Sequence, residues 1–436
     1  MQPNLFKNHA LSRIIKSRFR AAFNHWFTSV INQENKFKFR MSASILSWIL
    51  GLKNRDSSQS KIEFDRYESW LLAQIRTNQN SAPTLDFQSQ PTSTIVDARS
   101  IAKNRFVFLD LHPRQSITSN VIYEMYLSSL AHSSFTSQYH NLAELSNEEY
   151  LALIRDLGKQ ESFINILIFE VHTSSELNGG SLSKELIMDL RRTATILLMP
   201  VCFDIYRKFD LRFIEYWESL CLAFLHVDAE SASKLPITKP LIFWPFVLPK
   251  VKKRAQISDP EPHNQQSPSF LFSGSFKSPG RKSTLLFLKA RSFKYGFRIR
   301  IRSNAKVKDF SDERDMYLNE LQSAAAVINF NTRPEVSHSL LTFRAIETIT
   351  MNGCLLDQSS GNLNTSLTKI AVPYKHFIPF KSDWELLQLC RVLNANPSIA
   401  RTIQFNCSRL TADELSQDSL WAYLECKIIE LSHASS

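Results

Sequence analysis

Two short stretches of this 436-residue sequence place residue types at spacings suited to holding a phosphate group. The first is residues 270–281, FLFSGSFKSPGR: an apolar strand, then Ser273, Gly274 and Ser275, a polar turn, and a helix opening near Arg281. A glycine lets the backbone come close to a ligand where a strand turns. The start of the next helix offers free N–H groups to an anion, and Arg281 or Lys282 adds a charged contact. The chain has only nine glycines, and Gly274 and Gly280 both fall in this one turn. The second stretch is residues 341–357, LTFRAIETITMNGCLLD. Arg344 and Glu347 are three residues apart on a predicted helix and so share a face. Asn352-Gly353 is a helix-ending pair, and a short apolar strand follows. Each stretch also has a plain reading: ordinary strand-turn-helix architecture for the first, a surface ion pair of little energetic value for the second.

Other chemistries have less support. The sequence has no G-x-x-x-x-G-K, no G-x-G-x-x-G and no G-x-S-x-G pattern, so nucleoside triphosphate, dinucleotide and lipase-type signatures are missing. The acidic run at 309–315, DFSDERD, lies in a charged turn before a helix and reads as a solvated face, not a metal-binding D-x-D. Six cysteines (202, 221, 354, 390, 407, 426) are far apart with no CxxC and no histidine cluster. They read as buried thiols in a reducing compartment, with no metal site expected and the cytoplasm as the default location.

The elements that position these residues follow from the alternation of pattern. Apolar runs at 105–111, 163–171, 194–203 and 240–248 read as strands, and amphipathic stretches at 118–129, 147–157, 183–192 and 212–222 as helices between them. The alternation restarts after the polar, proline-containing stretch 250–268. Strands are predicted at 269–273, 297–301, 326–330 and 354–357, and helices at 281–290, 314–325, 338–350, 383–394 and 413–431. Strands alternating with helices build a parallel sheet covered on both faces. The chain is therefore expected to be α/β, with an N-terminal domain at 76–249, a linker at 250–268 and a C-terminal domain at 269–436. A polar stretch at 75–99 reads as a loop or linker.

The length suits two domains, and 43% hydrophobic residues with 31 Phe supply their cores. The net charge of +11 sits mostly at the start, where residues 1–61 carry eleven Lys or Arg against Glu34 and Asp56. Within this basic helical extension (1–75), residues 11–31 place Ile14, Ile15, Phe19, Phe23, Trp26 and Val30 at helical spacing. That stripe either packs on the protein's own core or lies on an anionic membrane surface. No nucleic-acid module accompanies the charge, so no nucleic-acid partner is expected. Neither a membrane-spanning run nor a secretory signal pattern is seen.

Taken in order, these residues resemble the donor-binding half of a GT-B glycosyltransferase. That family's second domain opens on an apolar strand ending in [FY]-x-G-[ST] with a basic residue heading the next helix. Phe272-Ser273-Gly274-Ser275 and Arg281 are similar to it. Residues 317–331 resemble the segment leading to the donor site, and Arg344, Glu347 and Gly353 follow the family's R-x-x-E helix. The FR-x-x-E form is closest to the CgeB-like and exostosin-like branches. The resemblance spans about residues 269–430. It implies two Rossmann-like domains facing a cleft, and transfer of a sugar from a nucleotide-sugar donor to a glycan, lipid-linked or protein acceptor. No metal and no separate cofactor are implied. Glu347 would bond the ribose, Gly274, Ser275 and Arg281 the diphosphate, and Arg344 would lie near the phosphates or brace Glu347. An acid or base for the acceptor would come from strand ends of the first domain, with Asp110, His112 and His172 the leading candidates and Glu170 and Asp204 also placed there. Position 339, where a second glutamate of the family motif would stand, is serine. The alternative is thus a GT-B-like protein that binds without transferring sugar. Location at the inner face of a membrane is compatible with either.

Overall fold

The structure is a computed structural model describing residues 57–85, 104–110, 117–143, 145–159, 163–170, 184–193, 195–202, 208–234, 237–245, 268–274, 279–302, 310–331, 340–359, 363 and 365–434. The described residues from Lys61 onward belong to one compact unit. The amphipathic stretch 11–31 lies outside the described residues, as do His112, His172, Asp204, Ser275 and Ser339.

Two sheets form within this unit, every strand pair in them parallel. The first has the order β2-β1-β3-β4-β5-β6, where β1 is Asn104–Asp110, β2 Thr136–Asn141, β3 Ile164–Glu170, β4 Thr195–Cys202, β5 Phe224–His226 and β6 Leu241–Phe243. The second has the order β11-β10-β9-β7-β8, where β7 is Ser269–Ser273, β8 Arg298–Arg302, β9 Ala326–Asn329, β10 Leu355–Gln358 and β11 Phe377–Phe380. The expected α/β architecture of two Rossmann-like sheets is present. Central strands such as β1 and β3 are buried along nearly their whole length, as strands with both faces covered must be.

Three strands were not visible as apolar runs, and each has a physical reason. β2 reads TSQYHN and is an edge strand buried mainly at its last residue, so it has no need of an apolar run. β5 is only three residues long. β11, FIPF, contains Pro379, which an edge position tolerates because one side of the strand makes no ladder bonds. The 240–248 run yields only Leu241–Phe243 as strand.

Helices α1 (Ser57–Asn78), α2 (Ile117–His132), α3 (Asn147–Lys159), α4 (Lys184–Thr193), α5 (Lys208–Glu218), α6 (Ala229–Ala232), α7 (Pro279–Ser292), α8 (Phe310–Ser323), α9 (Phe343–Thr350), α10 (Thr365–Ile370), α11 (Asp383–Ala395), α12 (Pro397–Asp413) and α13 (Gln417–Ala434) complete the unit. α1 runs into the stretch read as linker and ends at Asn78. Its aromatic rings meet the second half: Tyr67 lies 6.0 Å from Trp384 and Trp70 lies 5.8 Å from Tyr374. α9 begins at Phe343, five residues later than its pattern suggested, because Thr342 caps it by accepting the Ala345 N–H. The helix predicted at 413–431 is α13, which starts at Gln417, and α12 precedes it, ending at Asp413.

α13 closes the chain on the first sheet, although its sequence position groups it with the second. Trp421 is fully buried against Phe106, Phe108 and Trp244, at 5.3, 6.3 and 5.1 Å between centroids. Its Nε1 donates to Ser128 Oγ at 2.8 Å. One turn on, Glu425 accepts from Ser133 Oγ at 2.6 Å and from the Ser134 backbone N–H at 2.8 Å. A periodic pattern shows that a helix has an apolar side but does not say which sheet receives it.

Asn352-Gly353 caps the helix end as its spacing suggested, with the Gly353 N–H donating to the Thr348 carbonyl at 2.7 Å and the Asn352 N–H to the Ile349 carbonyl at 3.0 Å, and Gly353 is needed for space as well. The left-handed residue at the end of α9 is Asn352, at φ 58°. A Cβ on Gly353 would sit 2.8 Å from Thr348 Cγ2 and 3.1 Å from the Leu321 carbonyl. No helix among the described residues is long and apolar enough to cross a membrane.

Candidate functional site

The two stretches singled out by sequence meet at the carboxyl end of β7. Gly274 follows β7 with φ +136°, a conformation side-chain-bearing residues rarely adopt. Its N–H donates to the Arg302 carbonyl at 2.9 Å, which extends the β7–β8 ladder by one bond. A Cβ here would lie 2.5 Å from Arg344 Nη2. The glycine therefore makes room for the Arg344 guanidinium as well as turning the chain.

Two cations approach the Phe272 ring. Arg344 Cζ lies 5.2 Å from its ring centroid and Arg281 Cζ 5.9 Å. Both guanidinium groups also find neutral acceptors: Arg281 donates to the Phe330 carbonyl at 3.2 Å, and Arg344 to Asn329 Oδ1 at 3.3 Å. Arg344 Nε is buried with no hydrogen-bond partner among the described residues. A buried donor without an acceptor is unfavourable, so two cations converging on one ring suit an anion. Beside Arg281, a depression of about 260 Å³ is lined by Gly280, Arg281, Ser283, Thr284, Phe330, Gln358 and Asp383. Thr284 Oγ1 ties α7 to the first residue of α11 by donating to Asp383 Oδ1 at 2.6 Å.

Glu347, on the same face of α9, turns to a different partner. Its Oε2 accepts the Tyr317 hydroxyl at 2.8 Å, and the carboxylate is buried at 8% exposure. Tyr317 in turn lies under Arg302, whose Nη1 pairs with Glu320 at 3.0 Å. Arg344 and Glu347 thus share a helix but turn to different partners, Asn329 and Tyr317, which differs from the simple surface ion pair their spacing also allowed.

A polar network in the sheet was not anticipated from sequence. Asp357 on β10 is 2% exposed and accepts from Asn329 Nδ2 and Asn331 Nδ2, both at 2.6 Å. Burial pushes its carboxyl up to about 7, while the two amide donors pull the other way. Its signal in the sequence was faint: an aspartate ending LLD and asparagines interrupting INFN, inside runs otherwise apolar.

In the first sheet, Asp110 ends β1 as expected but is 1% exposed, with Oδ2 accepting the Tyr139 hydroxyl at 2.8 Å. Glu170 ends β3, 6% exposed. His226, at the end of β5, was not foreseen; burial lowers its pKa to about 4, which keeps the ring neutral. No group of three or more His, Cys, Asp or Glu placed to hold a metal occurs among the described residues.

No family model and no curated protein matches the chain. Among solved structures it is similar to HepE of Anabaena, solved with UDP and glucose, at 10% identity over 75% of this chain and 99% of that one, TM-score 0.45. It is likewise similar to a glycosyltransferase from Rickettsia africae, at 10% identity over 76% and 98%, TM-score 0.45. An α-glucosyltransferase solved with UDP-glucose and DNA containing an abasic site matches at 10% identity over 75% and 99%, TM-score 0.49.

Proposed function

We propose that this chain is a GT-B glycosyltransferase, which moves a hexosyl group from a nucleoside diphosphate sugar to a glycan or lipid-linked acceptor. The observation that carries the reading is the pair Arg281 and Arg344, both within 6 Å of the Phe272 ring centroid next to the left-handed Gly274. When the bond from the sugar C1 to the diphosphate breaks, negative charge grows on the leaving phosphate. Fixed guanidinium groups at that point stabilise it, in the role a bound metal plays elsewhere. Glu347, three residues from Arg344, is the group assigned to the ribose hydroxyls, and Tyr317 fixes its carboxylate. The run Phe343–Glu347 supports placing the chain with the CgeB-like and exostosin-like branches. For an inverting reaction, Asp110, His112 or His172 would supply the acceptor's base.

Calorimetric titration of the full chain with UDP, GDP and their sugars tests this reading. Wild-type protein is expected to bind one of them, and Glu347→Ala to weaken it roughly tenfold or more, as loss of a charge-assisted hydrogen bond does. No binding across the whole panel would sink the proposal.

The basic stretch 1–61 motivates a second expectation, a place at an anionic membrane surface where lipid-linked acceptors reside. The full chain should sediment with vesicles of phosphatidylcholine and phosphatidylserine, and a chain lacking residues 1–56 should stay in solution. A full chain that never sediments rules this placement out.

A further inference from the structure

We propose that Asp357 is a positioning residue for the anion site, acting through Asn329 to hold Arg344 against Gly274. This rests on the nucleotide-sugar reading of that site. The argument turns on one side-chain amide used at both ends. Asn329 Nδ2 donates to Asp357 Oδ1 at 2.6 Å, and this leaves Asn329 Oδ1 facing α9, where it accepts from Thr342 Oγ1 at 3.0 Å and Arg344 Nη1 at 3.3 Å. An acceptor behind the amide nitrogen fixes the amide with its oxygen toward the guanidinium. Rotated by half a turn, it would set N–H against N–H. Asp357 supplies that acceptor from the neighbouring strand, in direct register with Asn329.

The arrangement is expensive, which argues against its being incidental. Asn329, Asn331 and Asp357 are 0, 1 and 2% exposed, inside a parallel sheet where apolar residues pack well. A buried carboxylate rarely improves stability over an apolar side chain of similar size. Asn331 meets the second oxygen of Asp357 and leaves its own Oδ1 buried with no hydrogen-bond partner among the described residues. The polar chain runs from β10 through β9 to Arg344, whose guanidinium fills the space Gly274 leaves open.

Binding of UDP and GDP to the full chain separates this role from a structural one. Asp357→Asn keeps an oxygen for Asn329 Nδ2, and Asn331 can turn its oxygen to the new amide; this variant should retain affinity within about threefold, less than the worth of one hydrogen bond. Asp357→Leu and Asn329→Ala should each weaken binding roughly tenfold, as expected when a charged hydrogen-bonding group is misplaced. Neither should weaken it further in an Arg344→Ala background, since coupled residues are not additive. Thermal melts check that each variant is folded, and Asn329→Ala carries the test if Asp357→Leu is not. Full affinity in Asp357→Leu or Asn329→Ala, or additive losses with Arg344→Ala, overturns the positioning role alone. A wild-type chain that binds neither nucleotide overturns the functional reading beneath it.

Discussion

Replacing Arg344 with alanine is expected to weaken nucleoside diphosphate binding by roughly 10- to 150-fold, the range for hydrogen bonds to a charged group, with little change in melting temperature. Three contacts make the side chain specific to the site. It stacks on Phe272, bonds Asn329 and occupies the space over Gly274. Its loss should spare the fold, because Asn329 Oδ1 keeps the Thr342 hydroxyl at 3.0 Å and α9 keeps its cap. Arg344→Lys should not restore affinity: an ammonium is a point charge and lacks the planar fork that lies on Phe272 while reaching Asn329. Titration with UDP and GDP beside a thermal melt checks both halves of the expectation. Unchanged affinity in a folded Arg344→Ala protein would remove Arg344 from the site.

Trp421→Ala acts through stability and should leave the nucleotide site intact. The indole is fully buried, touches Phe106, Phe108 and Trp244, and donates to Ser128. Emptying that space costs about 3–5 kcal/mol, as for other buried aromatic residues cut to alanine. Trp421→Phe should lose less, because a ring still fills most of the volume. Urea unfolding followed by circular dichroism reads this as a lower midpoint. At low urea, nucleotide affinity should match wild type, since the described residues assigned to the donor lie just after β7, on α7 and on α9. A midpoint equal to that of wild type would show that α13 is not held where Trp421 places it.

The site was legible where chemistry demands particular residue types and opaque where burial hides them. Gly274, Arg281, Arg344 and Glu347 stood out because a glycine at a turn, a basic helix start and a charged pair on one helix are each uncommon choices. Asp357, Asn329 and Asn331 did not, because they interrupt apolar strands singly and acquire a meaning only when β9 and β10 pair in register. Tyr317 was likewise read only as part of a segment; its bond to Glu347 crosses 30 positions. Asp110 was foreseen at a strand end, but its burial under Tyr139 depends on β2, a polar edge strand with no apolar pattern of its own.

The sequence by itself determined the class of the protein: alternating apolar strands and amphipathic helices can bury their faces only as covered parallel sheets, one with its last strand at Leu241–Phe243 and the other with its first at Ser269–Ser273. It also determined which residue types stand ready to meet an anion. Tertiary structure alone decided how those residues are used. Gly274 is a glycine partly because Arg344 needs the space, a contact between positions 70 residues apart. α13 belongs with the first sheet because Trp421 finds a cavity walled by Phe106, Phe108 and Trp244. Local pattern specifies that a face is apolar or a helix charged. Only close packing across long sequence separations selects the partner, because the volume to be filled and the hydrogen bonds to be met exist only once distant elements have come together.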